Sequence, residues 1–180
     1  MSSEYYEARP KSIEDIRNLA NILREVLRLK LDEPIDFTFY LDLMSIMFRK
    51  QHFNYIVLED SNEIFKSNDE AHTNIKTGTI YIKESVFKKL EDPSSRSHFT
   101  IAHEIGHFFL HFLNGPVLSR TTKPDKQYEK PEWQADQFAA ELLMPYEVVK
   151  NMSVDEIFAN YNVSYKAAKT RHKKINKKRL

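Results

Sequence analysis

The sequence contains no cysteine. Disulfide stapling, thiolate metal sites and cysteine nucleophiles are therefore excluded, and any metal must be held by His, Asp or Glu. Glycine is nearly as scarce, with 3 in 180 residues. No GxGxxG or GxxxxGKS/T pattern occurs, which argues against nucleotide chemistry on a glycine-rich loop. Long hydrophobic runs are missing too. The most apolar long stretch, Phe99 to Leu113, contains His and Glu and falls short of the ~20 residues a membrane span needs. The polar first residues, with Glu4 and Glu7, lack the basic and apolar regions of a signal peptide. The expectation is a soluble, cytoplasmic chain with no membrane contact. An excess of one charge is also lacking. The net charge of +1 provides no global field for nucleic acid.

What is present suits one globular unit. Hydrophobic residues make up 41%, with 12 Phe and 9 Tyr, enough for a core at this length. The pattern divides into N-terminal helices (1–53), a catalytic core (54–150) and a small helical segment with a basic tail (151–180), expected to pack as one compact domain. Ser12 can cap a helix whose apolar positions, Ile13, Ile16, Leu19, Ala20, Leu23, Val26 and Leu27, recur at helical spacing. A second helix is expected over 36–50. Residues 54–83 read as a small antiparallel sheet: Tyr55 to Leu58, Ile64-Phe65, and a hairpin of Ala71 to Ile75 and Thr79 to Lys83 around Gly78. A short helix over Glu84 to Leu90 follows, with Ser94 or Ser95 capping the next. Arg96 to Leu113 is the strongest helix, stopped by Asn114-Gly115-Pro116. Residues 115–130 form a polar loop, a lid or a linker. Pro131 opens another helix reaching about Leu143, and short helices follow over 146–151, 153–160 and 164–176.

His103-Glu104-Ile105-Gly106-His107 has the HExxH pattern within the strongest helix. Residues four apart differ by about 40° around the axis and rise about 6 Å, so two imidazoles can face one metal ion. Glu104 is placed to hold a water on that metal rather than to bind it. A lone histidine on an apolar helix is ordinarily a hydrogen-bonded core residue; two at ligand spacing with a glutamate between them favour zinc. A hydrolytic zinc site takes three protein ligands and keeps one position open. His111 sits about 12 Å along the helix from His103, which points to a structural or supporting role. The following helix carries Glu132 and Asp136, four apart. The first can be the third ligand, and the second can accept the spare N–H of a ligating histidine. Trp133, Ala135, Phe138, Ala139, Leu142 and Leu143 predict that this helix is substantially buried. Glu129 and Glu141 are the competing acids.

The stretch Phe99-Thr100-Ile101-Ala102-His103-Glu104-Ile105-Gly106-His107, followed by Glu132-x-x-Ala135-Asp136-x-Phe138-Ala139-Ala140-x-Leu142-Leu143-Met144-Pro145, resembles the ImmA/IrrE metallopeptidases. They share the wider gluzincin pattern of HExxH followed by ExxxD. The resemblance covers about residues 70–150. It implies an α+β, zincin-like fold with a small antiparallel sheet packed on helices. It also implies His103, His107 and Glu132 as zinc ligands, Glu104 as catalytic base and Asp136 as the partner of a zinc histidine. Its implied substrate is a helix-turn-helix repressor of a mobile element or stress regulon.

The expected activity is zinc-dependent endopeptidase cleavage. The strand Ala71, His72, Thr73, Asn74 and Ile75 is the candidate edge for substrate backbone. His72, Tyr81 and Tyr128 are candidate oxyanion donors. A rival reading is a DNA-binding or protein-partner module, as in a toxin–antitoxin or regulatory system. It rests on the helix-turn-helix-like spacing of Val154 to Ile175 and on the eight Lys or Arg, with no acid, from Lys166 to Leu180. A solvated, basic terminal helix is the simpler account of that tail. The pattern does not determine oligomeric state.

Overall fold

The computed structural model describes residues 8–114 and 126–177. The stop at Gly115-Pro116, most of the 115–130 loop, the first residues with Glu4 and Glu7, and the end of the basic tail lie outside them. The fold is α+β. Two helices, α1 (Ile13–Val26) and α2 (Phe37–Met47), precede the strands β1 (Asn54–Leu58), β2 (Ala71–Asn74) and β3 (Thr79–Lys83). Helices α3 (Glu84–Lys88), α4 (Ser97–His107), α5 (Pro131–Leu143), α6 (Tyr146–Val149), α7 (Val154–Asn160) and α8 (Tyr165–Asn176) follow. No helix among the described residues is long and apolar enough to cross a membrane.

Local chemistry sets several boundaries. Ser12 and Asp15 form a reciprocal capping box at α1, and Ser153 and Glu156 form another at α7. Asp36 caps α2, and Pro131 occupies the first turn of α5, where its missing N–H costs nothing. The expected Ser94 or Ser95 cap of α4 is not formed: Arg96 is its N-cap and makes no side-chain cap bond, and Ser95 Oγ accepts from Ser97 N at 3.1 Å just before it. Gly78 closes the β2–β3 hairpin at φ 76°, a conformation that glycine adopts without strain.

The sheet is mixed rather than antiparallel throughout. Its order is β1-β3-β2, with β1 parallel and β2 antiparallel to β3. Ile80 and Ile82 of the central β3 are fully buried, whereas the edge strand β2 reads Ala-His-Thr-Asn. Ile64-Phe65 is not a strand; it lies in a run of turns, with Phe65 beneath the Lys83 ammonium.

The expected single α-helix from Arg96 to Leu113 changes character after His107. Phe108–Phe112 forms a π-helical turn, with Leu113 N donating to Phe108 O across five residues at 3.1 Å. Phe108 is fully buried there and meets Phe53 edge-on.

Helix α5 packs against both α4 and α1. Gly106 permits the close α4–α5 approach. A Cβ there would stand 3.1 Å from the Phe138 ring and 3.2 Å from Ala135 Cα, tighter than comfortable contact. One apolar cluster joins α1 and α2 with the sheet, α4, α5 and the C-terminal helices. At its side lies a buried ionic group. Glu141 accepts from Arg171 through both carboxylate oxygens, at 3.0 and 2.6 Å, and Arg17 approaches at 3.2 Å. Arg171 also donates to Met144 O, so one side chain ties α8 to the end of α5. Burial opposes the Glu141 charge, but the two guanidiniums outweigh it and hold its carboxyl below the ordinary range.

Removing one partner of such a buried pair strands the other charge. Arg171→Met is expected to lower stability by about 3 kcal/mol, read as a drop in the urea midpoint with an unchanged slope.

Candidate metal centre

Helices α4 and α5 bring three donors to one point. His103 Nε2 and His107 Nε2 stand 3.0 Å apart. Glu132 places Oε2 3.3 Å from the first and Oε1 3.4 Å from the second. Among the described residues these three are the His and acidic side chains grouped closely enough to hold a metal. Ligands on a tetrahedral zinc ion with ordinary bond lengths are separated by about 3.3 Å; the two imidazole nitrogens stand near that spacing, and each meets a different oxygen of the same Glu132 carboxylate.

The outer nitrogens are already committed. His103 Nδ1 donates to Asp136 Oδ1 at 3.0 Å. His107 Nδ1 lies 3.0 Å from His111 Nδ1, and His111 Nε2 lies 3.2 Å from Gln134 Oε1. The Gln134 amide nitrogen donates to the carbonyls of Arg9 and Tyr128, at 2.8 and 2.7 Å, which turns its oxygen toward His111. An amide oxygen only accepts, so His111 carries its proton on Nε2 and accepts at Nδ1 from His107. Burial, reinforced by the neighbouring His107, pushes His111 down to about 4, consistent with the neutral ring this relay requires. In its neutral form each of His103 and His107 therefore presents a bare Nε2 lone pair inward.

Two lone pairs this close, each against a carboxylate oxygen, require a cation between them, and the donor set fits a metal. In the metal-free chain a proton serves instead. Burial disfavours the His103 imidazolium, but hydrogen bonds to Asp136 and Glu132 override that cost and push it up to about 10. Hydrogen bonds from His103 and His107 hold the Glu132 carboxyl well below its ordinary range.

Glu104 lies beside this point and is buried, at 7% exposure. Its Oε2 accepts from Thr73 Oγ1 at 2.6 Å. A polar cleft of about 500 Å3 opens alongside, lined by Asp69, Glu70, Ala71, Arg96, His103, Glu104, Glu132 and Asp136 among others. Thr100 of α4 donates to Glu70 at 2.7 Å, fastening the chain just before β2 to the active helix.

Glu132 and Asp136 are not buried, contrary to the expectation from the apolar residues around them. Their side chains are 77% and 55% exposed. The apolar residues of α5 face the core, α1 and the α4 contact at Gly106, and the two acids line the cleft. Glu141 is away from the centre, held by arginines, and Glu129 contributes its backbone carbonyl to Ala8 N. His72, Tyr81 and Tyr128 are not among the cleft-lining residues. Of the edge strand, Ala71 lines the cleft, His72 points outward, Thr73 meets Glu104, and Asn74 and Ile75 lead into the turn. Gln134 and the Thr73 hydroxyl escaped the sequence reading. Gln134 had one visible sign: it is a polar residue between Trp133 and Ala135, and a buried amide requires partners.

Paired histidines on one helix, a carboxylate from the next and a buried glutamate beside them define a zincin-like metallopeptidase core. The chain belongs to peptidase family M78, the IrrE N-terminal-like domain, whose profile matches residues 64–173. No curated protein matches the chain.

Outer hydrogen bonds of metal ligands commonly carry ten- to hundredfold in affinity. Gln134→Leu is expected to weaken zinc binding by about tenfold or more, measured by chelator competition. Unchanged affinity would show that His107 does not depend on the relay. The proton–metal exchange gives a pH prediction. The folded His103 value lies above the ordinary 6.5, so its contribution to the metal-free chain is full below that pH and is lost as pH rises toward 10. Metal-free protein should accordingly lose thermal stability between pH 7 and about 10, and zinc titrated in at pH 8 should release about one proton per chain, read by calorimetry in two buffers.

Proposed function

We propose that this chain is a cytoplasmic zinc metalloendopeptidase that cleaves a helix-turn-helix repressor of a mobile element or stress regulon. One observation carries the catalytic part: the Nε2 atoms of His103 and His107 meet the Glu132 carboxylate within metal-ligand reach, with Glu104 alongside. His103, His107 and Glu132 would hold the ion. A bound zinc ion would supply Lewis acidity toward the scissile carbonyl and its attacking water. Glu104 takes the proton of that water and returns it to the leaving amine nitrogen. Asp136 and the His111–Gln134 relay keep both imidazoles in the ligating tautomer. The peptide lies extended along the outer edge of β2, where backbone pairing is independent of side-chain identity. The repressor as substrate rests on the family resemblance.

A second reading has its own observation. Lys166, Lys169, Lys173 and Lys174 are exposed on α8, with Lys177 exposed at its C-cap, while Ala168, Arg171 and Ile175 face the core. That basic face would suit a nucleic-acid or protein-partner module. Salt-dependent DNA binding that survives Glu132→Ala would favour it.

Glu104→Gln is expected to keep close to one zinc per chain and lose at least about a hundredfold in cleavage rate. Glu132→Ala should lose most of its zinc, as seen by elemental analysis. Co-expression with repressors encoded beside the gene tests the substrate: cleavage that requires Glu104 supports it, and intact repressors with active enzyme count against it.

A further inference from the structure

We propose that Thr73 is the positioning residue of the base, fixing the Glu104 carboxylate from the same edge strand that receives the peptide backbone. The inference rests on the peptidase reading above.

The ladder parity of the β2–β3 pair supports this arrangement. Lys83 N donates to Glu70 O, which makes Glu70 and Lys83 a hydrogen-bonded pair. In an antiparallel ladder such pairs alternate. In the observed register His72–Tyr81 is the next bonded pair, and Ala71–Ile82 and Thr73–Ile80 lie between bonded pairs. The N–H and C=O of Ala71 and Thr73 therefore point away from β3, toward an edge that no described strand covers. The side chain of Thr73 turns the other way and is buried, at 5% exposure. Its hydroxyl stands 2.6 Å from Glu104 Oε2 and 2.9 Å from the Glu104 carbonyl. Both ends of the glutamate, backbone and carboxylate, are thus referenced to one oxygen. An unrestrained glutamate has several rotamers to lose before it can take a proton. Thr73 has already selected one, leaving Oε1 to work on the water. Its peptide groups meanwhile set the distance from that carboxylate to any backbone paired on the edge.

Thr73→Val keeps the shape and removes the donor, while Thr73→Ser keeps the donor. Zinc-loaded full chains are compared in two assays: hydrolysis of fluorescein-labelled casein, and calorimetric binding of acetohydroxamate, whose acidic proton a zinc-site glutamate accepts. The valine variant should retain zinc and a KM within about twofold, and lose about ten- to a hundredfold in kcat, the scale of a hydrogen bond to a charged group. It should bind acetohydroxamate about tenfold more weakly, and serine should restore both to within about threefold. Wild-type kcat and hydroxamate affinity in the valine variant would overturn the proposal, as would a serine variant no better than valine. If valine does not fold, Thr73→Ala takes its place. If the wild type does not cut casein, the hydroxamate titration decides alone. Failure of the wild type to bind zinc would instead sink the metal reading.

Discussion

Two imidazole lone pairs 3.0 Å apart, with a carboxylate oxygen close to each, repel one another unless a positive charge sits among them. That constraint comes from the α4–α5 approach and from the hydrogen bonds behind each ring. Gly106 allows the helices to close; Asp136 and the His111–Gln134 relay fix which nitrogens face inward. With the protons committed outward, the inner face can take only a cation. The closest competitor is a proton, which explains the opposed shifts in acidity of His103, upward, and Glu132, downward.

The parts of this arrangement visible in the sequence are those that depend on periodicity within one element. HExxH places His103 and His107 on one face because the helix repeat requires it, and ExxxD does the same for Glu132 and Asp136. Helix starts at Ser12 and Pro131 were legible because they rest on local chemistry. Relations between elements were less so. Whether β1 runs parallel or antiparallel to β3 depends on how the chain crosses between them, and the five-residue strings do not state it. Nor does the sequence show that the helix widens into a π turn after His107, or that Gln134 reaches His111. The apolar residues of α5 suggested buried acids, yet one helix can bury most of its circumference and still leave a carboxylate stripe at a cleft.

The acids of α5 show how placement divides one residue type between two tasks. Glu132 and Asp136 lie at the cleft beside the α4–α5 contact, exposed to solvent. Glu141 lies two turns further on and is 1% exposed. A carboxylate so deeply buried requires fixed counter-charges, and Arg171 and Arg17 provide them from two other helices. Those guanidiniums cannot lose their protons near neutral pH, so the group is a permanent fastening of α8 and α1 to α5. The imidazoles facing Glu132 can exchange a proton for a metal, so its partner is replaceable. A third arginine at Glu132 would have provided a stable ion pair and no site. Histidine there leaves a charge deficit that a metal can fill, while the Glu141 clamp two turns away fastens the same helix to α8 and α1.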